Sequence, residues 1–591
     1  MQTSPREYYL SRIKDFEIEI ANQKKKLGWL SFSRILTFIL IITATYFLFG
    51  NWAILIPIGL TVITLFLILI HRYNNLKREF TISKELLLLN QEEIEVLDWK
   101  FDHRDGGNEF IDTSHPFSYD IDLYGHGSFF QYMNRTSLKS GKKFLSAQLN
   151  SNSIEGIQDR QKSIIELQNT PDWRQRYSAI AKLINDKFTT QQITNWIVNY
   201  NPFLNKAHYI LAIVFTFISP ILIVLTALQT VGPNLLGYWL LGGLIITGSQ
   251  LKKINVLSDK CSKSIDTFQN YAHLIDLIEK REFSSKELQA QSFRLNYKNK
   301  KASLEIKKFS KILDAFDNRN NLISAIFGNG LFLYDLWQVR RIENWIKINN
   351  TSISTWFEVV HFFDAYNSLG NFSFNHPNFN FPTVDRESEN TISATNLGHP
   401  LIRPEVRINS DLTIQTEQFF IVTGANMAGK STFLRSVSLF IIMANSGLPV
   451  CSDRSIYRPI KLITSMRTSD SLSEESSYFF SELSRLKIIV DKLEKENYFI
   501  ILDEILKGTN STDKAKGSKK FVERLVNFKA TGIIATHDLS LCEAAKESPN
   551  IENYYFDAEI VDDELFFDYR LKKGVCQNMN ASFLLKKMNI V

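Results

Sequence analysis

Nine consecutive residues, Gly424-Ala425-Asn426-Met427-Ala428-Gly429-Lys430-Ser431-Thr432, follow the G-x-x-x-x-G-K-[ST] spacing of a phosphate loop. The glycines let the backbone turn tightly, so that successive N–H groups and the N-terminus of a following helix face an anion. Lys430 would sit on the β- and γ-phosphates of a nucleotide, and the Ser431 hydroxyl would hold Mg²⁺. Further along, the apolar run 498–502 ends in Asp503-Glu504. Asp503 at a strand tip can join the Mg²⁺ shell, directly or through water. Glu504 is placed to accept a proton from an attacking water. A third apolar run, 532–536, ends at His537, which can sense a γ-phosphate from the neighbouring strand. Phosphoryl transfer to water needs positioning, a divalent cation and a placed base. The expected activity is therefore ATP hydrolysis. Lys430, Glu504 and His537 form the catalytic set, residues 424–432 bind ATP, and Ser431 and Asp503 hold the metal.

Elements must exist to position these groups. Residues 419–422, Phe-Phe-Ile-Val, read as a buried strand before the loop, and residues 433–444 as the helix after it. Strand, loop and helix in this order predict an α/β P-loop ATPase domain at the C-terminus, over residues 396–591.

The residues around the loop resemble the MutS family of mismatch-repair ATPases, within the ABC-type superfamily. Four elements carry the likeness, in the family's order. They are the Asn-Met-x-Gly-Lys-Ser core of the loop and the segment Thr468-Ser469-Asp470-Ser471-Leu472 through Ser477-Tyr478-Phe479-Phe480-Ser481-Glu482. Asp503-Glu504-Ile505-Leu506-Lys507-Gly508-Thr509 and Ala535-Thr536-His537 complete the set. The resemblance implies that chains pair, that Ser477 reaches in trans to the γ-phosphate of a partner's ATP, and that Asn426 helps order the nucleotide. Glu474-Glu475 departs from the Gly and basic residue usual there. Upstream, Leu397-Gly398-His399-Pro400-Leu401 is similar to the segment that precedes the family's ATPase. Asn134-Arg135-Thr136, Gly141-Lys142-Lys143-Phe144-Leu145, Ile157 and Arg160-Gln161 are similar to the opening of its helical core. Tyr569-Arg570-Leu571 and Gly574-Val575 also fit. Mismatch-reading members wedge a Phe from a Phe-x-Glu element into the base stack. Phe16-Glu17 and Phe357-Glu358 lack that spacing, so no such reading domain is expected.

Two stretches, 32–70 and 208–249, each hold a pair of nearly uncharged runs joined by a tight turn at Gly50-Asn51 or Val231-Gly232-Pro233. A bilayer span needs about 20 mostly apolar residues, so each stretch reads as a transmembrane hairpin. A polar stretch before the first run, and the second run directly after it, argue against a cleaved signal peptide. Lys24-Lys25-Lys26, His71-Arg72, Lys77-Arg78, Lys206 and Lys252-Lys253 flank the hairpins, placing both ends of each in the cytoplasm. The expected location is the inner, cytoplasmic membrane, multi-pass, with the ATPase inside. The expected plan is an amphipathic cytoplasmic helix (1–31), hairpin one (32–70) and a first part of an all-α core (71–207). Hairpin two (208–249), a helical lever (250–370), an irregular connector (371–395) and the ATPase follow. Cys261, Cys451, Cys542 and Cys576 have no zinc-type spacing and fit free thiols in a reducing compartment.

A net charge of +6 does not by itself announce nucleic acid. A local cluster, Lys298, Lys300, Lys301, Lys307 and Lys308, fits a solvated face, a lipid-headgroup contact or a DNA-backbone contact. The reading that follows is a membrane-anchored MutS-like ATPase, homodimeric, whose ATP cycle controls binding of mismatched, damaged or branched DNA. Its partners would be ATP, DNA, the lipid bilayer and unspecified repair or membrane proteins. The alternative is an ATP-driven membrane switch or scaffold that no longer binds DNA. A half-transporter is disfavoured, because two short hairpins make too few spans and Ser471-Leu472-Ser473-Glu474-Glu475 lacks the glycines of a transporter signature.

Overall fold

The computed structural model describes residues 4–184, 189–297, 300–425, 427–467, 478–561 and 564–577. The chain opens with two antiparallel helices, α1 (Pro5–Phe47) and α2 (Trp52–Leu97), of 43 and 46 residues. Ser4 starts α1 through a capping box with Glu7, with Pro5 in the first turn. At 1.5 Å per residue each helix is about 65–70 Å long, more than twice a bilayer's hydrocarbon thickness. Sequence pattern divides them. The proximal halves bury Tyr9, Phe16, Ile82, Leu86 and Val96, whereas distally Ile35 (61%), Phe47 (78%), Ile56 (65%) and Leu60 (71%) lie largely exposed. Residues 1–31 were expected as a separate helix, and from Pro5 onward they run straight into the first arm. Gly28, the one weak helix former at the junction, has open space around it and does not break the helix.

The helical core starts with α3 (Lys139–Asn150), α4 (Ile157–Gln168) and α5 (Pro171–Lys182). It is interrupted by α6 (Lys206–Ala227) and α7 (Pro233–Gly248), and resumes with α8 (Leu251–Glu279), α9 (Ala302–Asp317), α10 (Tyr334–Asn349) and α11 (Ile353–Asn375). Among the described residues α1, α2 and α6 are long and apolar enough to cross a membrane. α7 has 16 residues, about 24 Å, and so is shorter than the full span expected of it. One face of the α6–α7 pair is covered by residues 324–337. Ser219 donates to the Leu331 carbonyl, Trp239 Nε1 donates to Ser219 at 2.8 Å, and Trp337 Nε1 donates to Thr216 at 3.0 Å. Gly243 of α7 meets the Gly330 backbone so closely that a Cβ there would collide with it. Apolar residues leading into it and near its start face outward, with Leu322 72%, Ile323 69% and Phe327 52% exposed. The sequence reading passed over it, since it is too short to span.

α11 is the axis of the core, buried along nearly its whole length. Several of its polar residues have partners, although both side-chain amide atoms of buried Asn367 have none among the described residues. Tyr9 donates to Asn375 Oδ1 (2.7 Å), Asn375 donates to Glu93 (2.8 Å), Arg135 donates to Glu93 (2.5 Å) and Arg174 donates to Asn371 (2.8 Å). Burial alone would raise the Glu93 pKa, but Arg135 and the hydrogen bonds hold it below the ordinary value. Asp364, on the same helix, accepts from the N–H groups of Ser137 (3.1 Å) and Leu138 (3.0 Å) and so caps the start of α3. Its carboxylate approaches so close that a Cβ at Gly141 would overlap it.

The C-terminal region has two main sheets and, near its end, a two-stranded antiparallel ribbon of Glu559–Val561 and Glu564–Phe566. Its elements are β1 (Thr383–Val384), β2 (Asn390–Leu397), β3 (Ser410–Gln415), β4 (Phe419–Gly424), α12 (Lys430–Asn445), β5 (Arg454–Tyr457) and β6 (Lys461–Ser465). They continue with α13 (Tyr478–Leu493), β7 (Tyr498–Asp503), α14 (Ser511–Asn527), β8 (Thr531–Ala535), β9 (Ile551–Phe556) and β10 (Lys572–Lys573). The six-stranded sheet has the order β10-β9-β4-β8-β7-β6, parallel except for β10. The smaller sheet is β1-β5-β2-β3. The stretch 371–395, expected to be an irregular connector, instead holds the end of α11, β1 and most of β2. Its polar composition misled because Asn371 and Asn375 are buried with partners rather than solvated. Side chains of the parallel strands alternate between two cores. Phe420, Val422, Phe499, Ile501, Ile533 and Ala535 join the large core shared with the helices, while Phe419, Ile421, Ile500, Leu502 and Ile534 join the one on the other face. Strands buried on both faces read as continuous apolar runs.

Candidate functional site: a nucleotide cavity at the strand tips

β4, β8 and β7 end side by side, with Ala535 in register with both Val422 and Asp503. The residues just past those ends are therefore neighbours, at the carboxyl edge where open parallel sheets bind ligands. Gly424 has φ +150° and Gly429 φ +102°. A Cβ on Gly424 would sit 2.7 Å from the Phe556 carbonyl oxygen, so both conformation and space call for glycine. Lys430, at the start of α12, is buried and donates to the carbonyls of Gly424 (2.8 Å) and Ala425 (2.9 Å). Burial lowers its pKa, with Asp503 and Glu504 opposing. Ser431 Oγ donates to Asp503 Oδ2 at 2.7 Å, so the hydroxyl and carboxylate converge on one point.

Glu504 leaves the end of β7 with φ +52°, held by its N–H to Ala535 O at 2.9 Å. That left-handed turn points its carboxylate at His537, whose Nε2 is 2.8 Å from Glu504 Oε1 and 3.3 Å from Lys430 Nζ. The hydrogen bond from His537 pulls the Glu504 pKa down to about 2, against the opposing effect of burial. These groups line one cavity of about 590 Å³. The lining also includes less polar residues, His399, Ile402, Val406, Ile408 and Tyr569, the last lying against Gly429 of the loop. Burial holds the His399 pKa down at about 4, so a neutral ring faces the cavity at physiological pH. Phosphate-binding groups together with uncharged ring and aliphatic surfaces in one cavity suit a nucleoside triphosphate.

Met427, Gly429, Lys430, Ser431, Thr432, Asp503, Glu504 and His537 thus meet at this cavity. Ala428 packs into the core beneath the loop, and Ala425 borders it. Asn426 and Ser477 lie outside the described residues. Ser431 and Asp503 supply hard oxygen donors. A hydroxyl, one carboxylate, waters and phosphate oxygens are the set Mg²⁺ takes, so these residues fit the ion. Among the described residues no group of three or more His, Cys, Asp or Glu gathers as an all-protein metal cage, which accords with an ion carried in by phosphates.

Three supporting residues were not assigned roles from sequence. Glu482 of α13 accepts the Lys507 N–H at 3.0 Å, and the Leu506 and Gly508 N–H groups also bond to it. It therefore fixes the loop that follows Glu504, and Gly508 packs against Phe479. Arg160 donates twice to the Asn445 carbonyl (2.8 and 3.1 Å), placing a cation at the C-terminus of the phosphate-loop helix. Asp120 accepts from Thr464 Oγ1 (2.6 Å) and from the N–H groups of Met466 and Arg467, tying the core to the end of β6. Only Arg160 and Glu482 stood in a recognisable motif. Nothing in sequence marks Asp120.

The family model for MutS domain V matches residues 420–586. Over 179 residues the chain is 32% identical to MutS protein homolog 4 of Homo sapiens, covering 29% of this chain and 19% of that protein. It is 30% identical over 194 residues to the DNA mismatch repair protein MSH4 of Arabidopsis thaliana, covering 32% of this chain and 24% of the other. Over 179 residues it is 29% identical to MutS protein homolog 4 of Mus musculus. The chain thus matches about a fifth to a quarter of the length of these relatives, and the match is to the domain that holds the cavity. The C-terminal domain that holds the cavity is thus similar to domain V of the MutS family.

Proposed function

We propose that this chain is a membrane-anchored MutS-type ATPase that hydrolyses ATP at sites closed by two copies of itself, and uses that cycle to control DNA binding. The observation that carries the ATPase reading is the meeting of Lys430, Ser431, Asp503, Glu504 and His537 in one cavity. Lys430 turns from the Gly424 and Ala425 carbonyls to the β- and γ-phosphates. Ser431 and Asp503 would hold Mg²⁺, which when bound would supply neutralisation of the phosphate charge. His537 shifts from Glu504 to a γ-phosphate oxygen. That shift removes the main cause of Glu504's low pKa and frees the carboxylate to take a proton from water. Ser477 completes the γ-phosphate site from the partner subunit. The anchor reading rests on α1, α2 and α6 and on their outward apolar side chains. The DNA reading rests on the family and on the exposed Lys300, Lys301, Lys307 and Lys308 at the start of α9. The membrane-switch alternative draws on one observation: residues 5–97 form a helical hairpin ahead of the core.

The test uses full-length protein in nanodiscs. Glu504→Gln should bind ATP normally and lose at least about a hundredfold in hydrolysis, the usual cost of removing a general base. Turnover at the wild-type rate would refute Glu504 as the base. With ATP held by that variant, homoduplex, mismatched and branched DNA are compared across a salt series. Salt-sensitive binding that prefers mismatched or branched DNA supports the DNA reading. No binding at low salt from a protein that retains ATP replaces it with the switch.

A further inference from the structure

A groove of about 1230 Å³ opens where the second hairpin meets the helical core. One wall is the start of α8, which presents Lys252, Lys253 and Lys260 on one face; the other is Trp196, Tyr200 and Phe203, just before α6. Lys263 on the same helix pairs with Asp259. Lys252, Lys253 and Lys260 have no carboxylate within ion-pair distance among the described residues, although Lys253 lies over the Phe203 ring at 5.7 Å. An ordinary solvated helix face would interleave both charges. The aromatic wall is fixed from behind. Buried Glu343 accepts from the Phe203 N–H at 2.9 Å and from the Leu204 N–H and Tyr200 hydroxyl at 3.4 Å.

Depth decides what this groove meets. α7 ends at Gly248, so Lys252 and Lys253 stand only four and five residues beyond the last apolar turn. The turn at Ser249-Gln250 separates the two helices, so both lysines fall within a few residues of the hydrocarbon edge, where headgroups form a layer of about 5–8 Å on each side. Aromatic side chains with polar tips also concentrate at that level. We propose that this groove binds the headgroup phosphate of an anionic phospholipid, with Lys252 and Lys253 on the phosphate and Lys260 serving a second negative charge deeper in. The proposal rests on the membrane reading above and adds a lipid class and a site to it.

The test is native mass spectrometry of the full chain released from nanodiscs of phosphatidylcholine with and without cardiolipin, together with alkaline extraction of cell membranes. Wild type should retain cardiolipin over phosphatidylcholine. Lys252→Gln/Lys253→Gln/Lys260→Gln should lose roughly a hundredfold of that preference, at about a factor of five per lysine. The Lys→Arg version of all three should keep it. Lys516→Gln/Lys520→Gln/Lys546→Gln, an equal charge change at exposed positions of the ATPase domain, should also leave it intact. Equal loss in that control, or displacement of the lipid by soluble glycerophosphate at comparable concentration, would overturn the lipid site. Retention in the membrane pellet with no lipid preference overturns the site alone. Release from the pellet by alkali overturns the membrane reading and the site together.

Discussion

β4 and the distal half of α2 are both runs of large apolar residues, yet they end in different surroundings. Ile421 of β4 is fully buried, with helices and sheet on every side, whereas Ile56 of α2 is 65% exposed. The strand's neighbours come from this chain. The helix has one neighbouring helix, and on the proposed membrane reading lipid covers the rest. An apolar run therefore says that water is excluded, and only its partners say by what.

The sharpest way to break this comparison is to place the same charge in each. Ile421→Lys buries an unpaired ammonium and should cost more than about 4 kcal/mol, enough to leave no cooperative thermal transition in the ATPase domain. Ile56→Lys should leave that transition in place and weaken membrane insertion by about 2.5–3.5 kcal/mol, read as protein shifted to the soluble fraction. Equal melting behaviour in the two variants would dissolve the distinction. Arg160→Ala, at the seam between core and ATPase, should destabilise by about 2 kcal/mol, since it removes charge-assisted bonds to the end of α12. A denaturant titration checks this. Gly141→Ala should cost about 1–3 kcal/mol by pressing a methyl into the Asp364 carboxylate, and a paired change of Asp364 to a smaller residue should recover part of it. The smallest effect is one of pH. Glu504 titrates at about 2 against an ordinary 4.5, so it contributes stability above 4.5 that is lost as the pH falls towards 2. His537→Ala removes the main cause. The gap in melting temperature between wild type and variant should therefore shrink as the pH is lowered towards 2.

Much of the site was legible because its parts are local in sequence. A phosphate loop is one turn of chain, and Asp503-Glu504 and His537 each follow directly from a strand whose apolar run is plain. Their meeting required only that the three strands be neighbours, and the registers of Ala535 with Val422 and Asp503 supply that. Residues acting from elsewhere were not legible in this way. Glu482 reaches a loop 25 residues on, and Asp120 acts on β6 from 344 residues before it. Residues 371–395 failed as a connector for a related reason. Their asparagines look solvated until the distant Tyr9 and Arg174 are known to bond to them. The apolar stretch beside α6 and α7 was missed because length alone was asked of it.

The polar cluster at the C-terminal end of α11 has a mechanical consequence. Glu93 and Arg135 cannot be drawn apart without leaving a buried charge bare, at about 3–5 kcal/mol. Tyr9 and Asn375 are bonded into the same cluster, so the base of the first hairpin and α11 behave as one solid piece. From that piece the chain runs through β1 and β2 to Leu397 and His399, which line the nucleotide cavity. Along the chain, the short stretch from His376 to Thr383 is one joint between nucleotide and hairpin, beside the ties made by Asp120 and Arg160. Any rotation of the cavity wall that passes this stretch reaches α1 and α2 as a tilt of the whole hairpin.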